Sequence, residues 1–165
     1  MTTTTIDTKL SELGTLEMNM KQSVQRTGAE LVDQFLLSEA DKQNDETIIN
    51  VLYYLTDIQV RDYAMGLLSV DNAEQNIKAL NVLLDKAPTD SVYISAPAVL
   101  LASIHYEVGN KEEAFLALDN ARPWYAMKSL LHRAFNAGWP QEAFSSMRRN
   151  LHPKVVEGIF GKEND

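Results

Sequence analysis

Apolar residues along this chain return every three to four positions, the period of a helix rather than of a strand. The clearest run is Ile77, Leu80, Leu83 and Leu84, at i, i+3, i+6 and i+7, which predicts one core-facing helix face. Upstream, Ile48, Ile49, Val51, Leu52 and Leu55 mark a second helix, and Ile58, Val60, Tyr63, Ala64, Leu67 and Leu68 a third. Leu31, Val32, Phe35 and Leu36 supply the face of a shorter one. Leu10, Leu13, Leu16, Met20 and Val24 recur more loosely and predict a marginal helix over residues 10–25. No segment alternates apolar and polar residues over the length of a strand, so the pattern predicts an all-α fold of eight or nine helices.

Polar punctuation sets the expected boundaries. Thr27 with Glu30, Thr56 with Gln59, Asp71 with Glu74 and Asn110 with Glu113 have the capping-box spacing, in which each side chain satisfies a free amide of the first turn. Asp45 is placed to cap the helix that carries Ile48. Pro97 suits a first helical turn, and Gly109 suits a left-handed C-terminal cap. Residues 124–137 then form a helix closed by Gly138, Pro140 begins another, and Pro153 starts a last short one over residues 153–160. Residues 1–13, rich in threonine, read as a flexible tail. Residues 14–44 read as N-terminal helices, loosely attached or self-associating, residues 45–161 as a helical-hairpin domain, and residues 162–165 as a tail.

Residues 109–115 align without gaps on residues 138–144, a spacing of 29 residues, as a G-x-x-[EQ]-E-A-F repeat. In each copy the glycine, Gly109 or Gly138, ends the first helix of a hairpin. The alanine, Ala114 or Ala143, lets the second helix pack close, and the phenylalanine, Phe115 or Phe144, fills the gap between neighbouring hairpins. With Ala98, Leu101, Ala102, Leu118 and Ala121 in step around Gly109, the pattern resembles a tetratricopeptide repeat. Leu131, Gly138, Ala143 and Met147 follow it partially, and the usual period of that repeat is about 34 residues. His105 and Ala126 stand where that family prefers tyrosine and proline.

A second resemblance spans residues 57–144. Val60, Arg61 and Asp62, Ala87 and Pro88, then Ala96, Pro97 and Ala98, are carried in order. Leu100, Leu101 and Ala102, Gly109 with Ala114, Ala117 with Leu118, Leu130 with Leu131, and Ala137, Gly138 and Pro140 complete the series. The chain thereby resembles the C-terminal half of domain of unknown function family 4192. That resemblance implies an actinobacterial or phage origin and a longer N-terminal half in other members, and it brings no established activity.

Charge changes the picture more than composition does. Hydrophobic residues make up 45% and charged ones 23%, within the range of folded domains, and there is no cysteine to supply a disulfide, a thiolate metal site or a nucleophile. The net charge of −8 is unevenly spread: residues 1–121 carry −11, whereas residues 122–154 carry +5. Without a signal-like N-terminus or an apolar run near the ~20 residues of a membrane span, a cytoplasmic protein is expected.

Candidate chemistry is sparse. His105, His132 and His152 show no i, i+4 pair of the kind that binds a metal on one helix, so neither a metal nor another cofactor is expected. Glu112, Glu113 and Asp119 are accounted for by capping and solvation, and the glycines at 158 and 161 lack phosphate-loop spacing. These absences point away from an enzyme. The basic quarter therefore supplies the candidate contact residues: Lys128, His132, Arg133, Arg148, Arg149 and His152. Trp124, Tyr125, Phe135 and Trp139 interleave with them as inter-helix core. The expected role is a non-enzymatic protein–protein interaction module with an unidentified protein partner, an accessory protein acting on a host factor. Nucleic-acid binding through residues 122–154 is the alternative, followed by an acidic nucleic-acid mimic and by homo-oligomers formed through the N-terminal helices.

Overall fold

A computed structural model describes residues 3–14 and 21–161. Among the described residues there are nine α-helices and no strand: α1 (Thr3–Leu13), α2 (Gln22–Leu36), α3 (Asp45–Tyr54), α4 (Ile58–Leu67), α5 (Ala73–Lys86), α6 (Ser95–Glu107), α7 (Lys111–Leu118), α8 (Ala126–Asn136) and α9 (Gln141–Phe160). The fold is all-α, as the apolar periodicity predicts.

Helix α6 is the axis of the molecule. Twelve of its residues are buried, from Ser95 through Ile104 and then Tyr106 and Glu107, so it has no solvent face. A helix that is apolar all round has to be covered on every side. Here α5 and α7 flank it, and α4, α8 and α9 complete the cover. One continuous core results, running from Ile6 and Leu10 of α1 through Val32 and Phe35 of α2 to Phe135 of α8 and Phe144 of α9.

That core corrects the reading of the N-terminus. Residues 3–13 are a helix rather than a tail, with Ile6 and Leu10 fully buried against α3. The hydroxyl of Tyr93 lies 2.7 Å from the carbonyl oxygen of Leu10 and 2.6 Å from that of Gly14, holding the end of α1 to the loop before α6. Threonine-rich sequence concealed this helix, because only two apolar side chains per three turns are needed when both are completely enclosed. Of the proposed 10–25 helix, residues 15–20 lie outside the described residues, and α1 and α2 flank that stretch as separate helices.

Nor is α2 loosely attached. Its Val32, Phe35 and Leu36 enter the core, while Gln22 and Arg26 donate to the carbonyl oxygens of Gly158, Ile159 and Gly161 at the C-terminal end of α9. A guanidinium at a helix C-terminus satisfies unpaired carbonyls and complements the helix dipole. The first and last helices of the main body are thereby joined, and the tail–helices–hairpin division gives way to one packed unit.

Several caps also move. Thr27 is interior to α2, where its hydroxyl donates to the Ser23 carbonyl. Asn44 rather than Asp45 caps α3, and Asp57 rather than Thr56 caps α4, each accepting from the amide three residues on. Asp57 also accepts from the buried Gln25 amide, so tertiary packing selected the residue that can serve both α2 and α4. Asn72 and Asn110 sit at the N-terminal ends of α5 and α7 without a side-chain cap. Finally, α9 continues through Pro153 instead of stopping there. Proline deletes the amide that would bond the Arg149 carbonyl, but packing along the rest of a 20-residue helix outweighs one lost bond.

Candidate interaction groove

The two copies of the repeat open differently. Gly109 and Gly138 both adopt left-handed backbone, with φ of 89° and 69°, as the expected C-terminal caps. After Gly109, α7 folds back along α6. Before Gly138, α8 packs on α6 and α7, and after it α9 turns away onto α4, α2 and α6. Burial follows that divergence: Ala114 is enclosed and Phe115 half-buried, whereas Ala143 is exposed and Phe144 enclosed. The buried face of the second copy is thus rotated by one residue, about 100°. Ala143 therefore does not provide the close approach expected of it, because α9 packs on a different neighbour.

The corner itself is rigid. Tyr106 of α6 stacks on Phe135 with ring centroids 4.3 Å apart, meets Phe144 edge-on, and donates its hydroxyl to the Trp139 carbonyl. Aromatic geometry of this kind adds to simple area burial.

Where α8 and α9 diverge, an apolar groove of about 250 Å³ opens between them and α4. Met65 of α4, Met127 of α8 and Met147 of α9 reach into it from three directions. Its rim is unusually apolar for solvent-facing surface: Leu130, Trp139 and Leu151 are 48%, 40% and 52% exposed. Single exposed apolar residues are ordinary, but three gathered around one concavity make it a candidate recognition surface.

On the α9 wall, the charge of Arg148 is neutralised internally. Arg148 forms a two-pronged ion pair with Glu107, Nε to Oε1 at 2.6 Å and Nη2 to Oε2 at 2.8 Å. Its Nη1 donates to the carbonyl oxygens of Met65 and Gly66, so the guanidinium fastens α9 to both α6 and α4. Both side chains are almost fully buried. On the α4 side, Asp62 accepts from Arg61, whose Nη1 also donates to the Tyr125 hydroxyl.

His152 closes the inner edge. Its ring lies 5.4 Å from that of Tyr63 and against Gly66, where an added Cβ would come within 1.8 Å of Nδ1. That nitrogen is buried without a hydrogen-bond partner. Burial pushes the imidazole below its ordinary pKa, the nearby Arg148 pushes it further down, and Asp33 partly offsets them. His105 is likewise lowered by burial, with Glu113 opposing.

The six contact residues expected from sequence do not form one surface. Lys128, His132 and Arg133 share a shallow depression on the outer side of α8. There Lys128 donates to the Ala121 carbonyl, and His132 pairs with Asn136 and meets the edge of Phe115. Arg149 is exposed and, among the described residues, reaches only the Ser145 carbonyl. Arg148 is internal, and His152 belongs to the groove. Among the aromatics placed in the core, Phe135 is there, but Trp124 is 63% exposed and Trp139 lies on the groove rim.

The groove was missed although a signal existed. Met147, Leu151 and Val155 recur every four residues on α9, a stripe distinct from the Phe144, Arg148 and Ile159 positions that pack inward. Splitting α9 at Pro153 hid it.

A family model described as a domain of unknown function, DUF4192, matches residues 2–142. The chain belongs to this family. The DUF4192 match begins far upstream of residue 57, where the resemblance in the sequence started, and so takes in α1 and α2. It ends at the second residue of α9, so the α9 wall of the groove lies beyond it. Neither a curated protein nor a solved structure matches the chain. Among the described residues no helix is long and apolar enough to cross a membrane, and no three His, Asp or Glu side chains gather as a metal site.

Proposed function

We propose that this chain is a non-enzymatic interaction module that docks a protein partner in the groove between α4, α8 and α9. The observation that carries the reading is the apolar, methionine-lined concavity with Leu130, Trp139 and Leu151 exposed around it. Methionine adapts to differently shaped apolar partners, and such surfaces recur where proteins bind one another. The tetratricopeptide-like pattern around Gly109 agrees with this reading, since helical hairpins commonly present concave binding faces. Fold alone is a weak warrant, and the groove is the stronger one.

A photo-reactive residue at Leu130 or Leu151, introduced in the native host, tests it. Cross-linking to a protein is expected at these positions and absent at Val92, which is exposed on the loop before α6 and does not line the groove. No product at either groove position, or the same product at Val92, would refute the docking role.

A second reading is nucleic-acid binding. It is supported by Arg133, Arg149 and Lys154, which have no carboxylate partner among the described residues, and by the exposed Trp124. It predicts salt-sensitive retention on DNA or RNA that Arg149→Glu with Lys154→Glu removes.

A further inference from the structure

Resting on the docking reading above, we infer that the groove receives a short amphipathic α-helix of the partner, anchored by apolar side chains and flanked by carboxylates.

The walls determine the backbone of the occupant. All three are helices, so most of their amides and carbonyls are spent within them, while the end carbonyls of Met65 and Gly66 accept from Arg148 and that of Trp139 accepts from Tyr106. An extended peptide laid here would bury amides and carbonyls with no partners, at a steep desolvation cost. A helix brings its backbone bonds with it and needs only side-chain contacts.

Length follows from the α9 wall. From Met147 to Val155 it runs eight residues, about 12 Å at 1.5 Å per residue, which matches two to three turns of a bound helix. Two successive i, i+3 or i, i+4 steps on such a helix would place three side chains against Met65, Met127 and Met147.

Charge decides the flanks. Of the charged groups that line the groove, Arg148 is cancelled by Glu107 and Asp62 by Arg61. Lys154 remains, exposed and without a carboxylate among the described residues. The uncompensated charge at the mouth is therefore positive, carried by Lys154, and a complementary helix carries Asp or Glu beside its apolar stripe.

Three labelled peptides of about 14 residues test this by fluorescence anisotropy against the full chain. One is an amphipathic helix with a leucine stripe and glutamate flanks, the second has lysine flanks, and the third keeps glutamate but replaces the leucines with serine. The first is expected to bind about fivefold more tightly than the second at low salt, with the gap shrinking at high salt. The third is expected not to bind. Leu151→Asp, at an exposed position, should abolish binding with its melting transition kept, and Lys154→Glu should remove the preference between the first two. Equal affinity for the glutamate and lysine peptides overturns the acidic chemistry, while its loss in Leu151→Asp would leave the docking reading standing. Binding of neither peptide overturns the inference, and cross-linking at Leu130 then decides separately whether a protein docks there. Displacement of the bound peptide by a single-stranded oligonucleotide, or sedimentation as a dimer that Leu151→Asp dissolves, would also overturn it by naming a different occupant.

Discussion

Arg148 of α9 ties that helix to both α6 and α4. Its guanidinium is shared among a carboxylate on α6 and two carbonyls on α4, so every donor direction it uses inside the protein is answered. Such a pair contributes little beyond what a well-packed apolar pair would, yet removing one member strands the other charge in the interior. Arg148→Met is expected to cost about 3–5 kcal/mol in urea denaturation, with most of it recovered when Glu107→Leu is added. Arg149→Met, one position along and exposed, should change stability by less than about 0.5 kcal/mol. His152 adds a pH dependence. Between α2, α4 and α9 it faces Asp33, Tyr63 and Arg148, and its folded-state pKa lies below the ordinary 6.5. As pH falls, the unfolded chain therefore takes up the proton first. Stability due to neutral His152 is complete above about pH 7.5, declines as pH drops through 6.5, and levels off below the folded value. The urea midpoint of the protein should accordingly fall more between about pH 7.5 and pH 5.5 than that of His152→Asn. Identical pH profiles would assign the decline to other groups, His105 among them.

At the scale of elements, the contact of α9 with α4 depends on a position without a side chain. Gly66 lies inside α4, where alanine would ordinarily stabilise the helix by about 1 kcal/mol. Here its Cβ would meet His152 at Nδ1, Cγ and Cβ, at 1.8, 2.3 and 2.7 Å. A clash that reaches the histidine Cβ is not relieved by turning the ring, so the helices have to separate. Gly66→Ala is expected to lower stability by about 1–3 kcal/mol, and adding His152→Ala should return in thermal melts only the part due to the ring, because the 2.7 Å approach to the Cβ of residue 152 remains. Full additivity of the two substitutions would mean that the imidazole takes no part in the clash. This contact also explains why the repeat copies differ. The interval between Gly109 and Gly138 specified two equivalent turns, and both form, but what each following helix packs against was set by partners remote in sequence. α7 finds α6, whereas α9 finds α4 and α2, and the same Ala–Phe pair presents opposite members inward.

For the whole molecule, the acidic body and basic last quarter do not translate into two opposed surfaces. Arg122 pairs with Asp90, Arg148 with Glu107, and Lys128 is spent on a carbonyl, so a stretch carrying +5 leaves few free cations. On the docking role proposed above, the cation that remains beside the groove, Lys154, is complementary to a carboxylate. The sequence by itself determined the all-α class, the positions of most central helices, and the left-handed turns at Gly109 and Gly138. These are local properties: apolar period, proline placement and the freedom of glycine at positive φ. Membership of the DUF4192 family was also legible, from short apolar and glycine motifs kept in order. Tertiary structure alone decided that α1 belongs to the core, that Asp57 caps α4, that α9 runs through Pro153, and that Arg148 is internal. Each of those outcomes depends on a partner 30 or more residues away, as Gln25 is from Asp57 and Glu107 from Arg148. The groove belongs with them. It exists because α9 leaves α8 to pack on α4, and helical periodicity reports which face of a helix is apolar but not what will cover it.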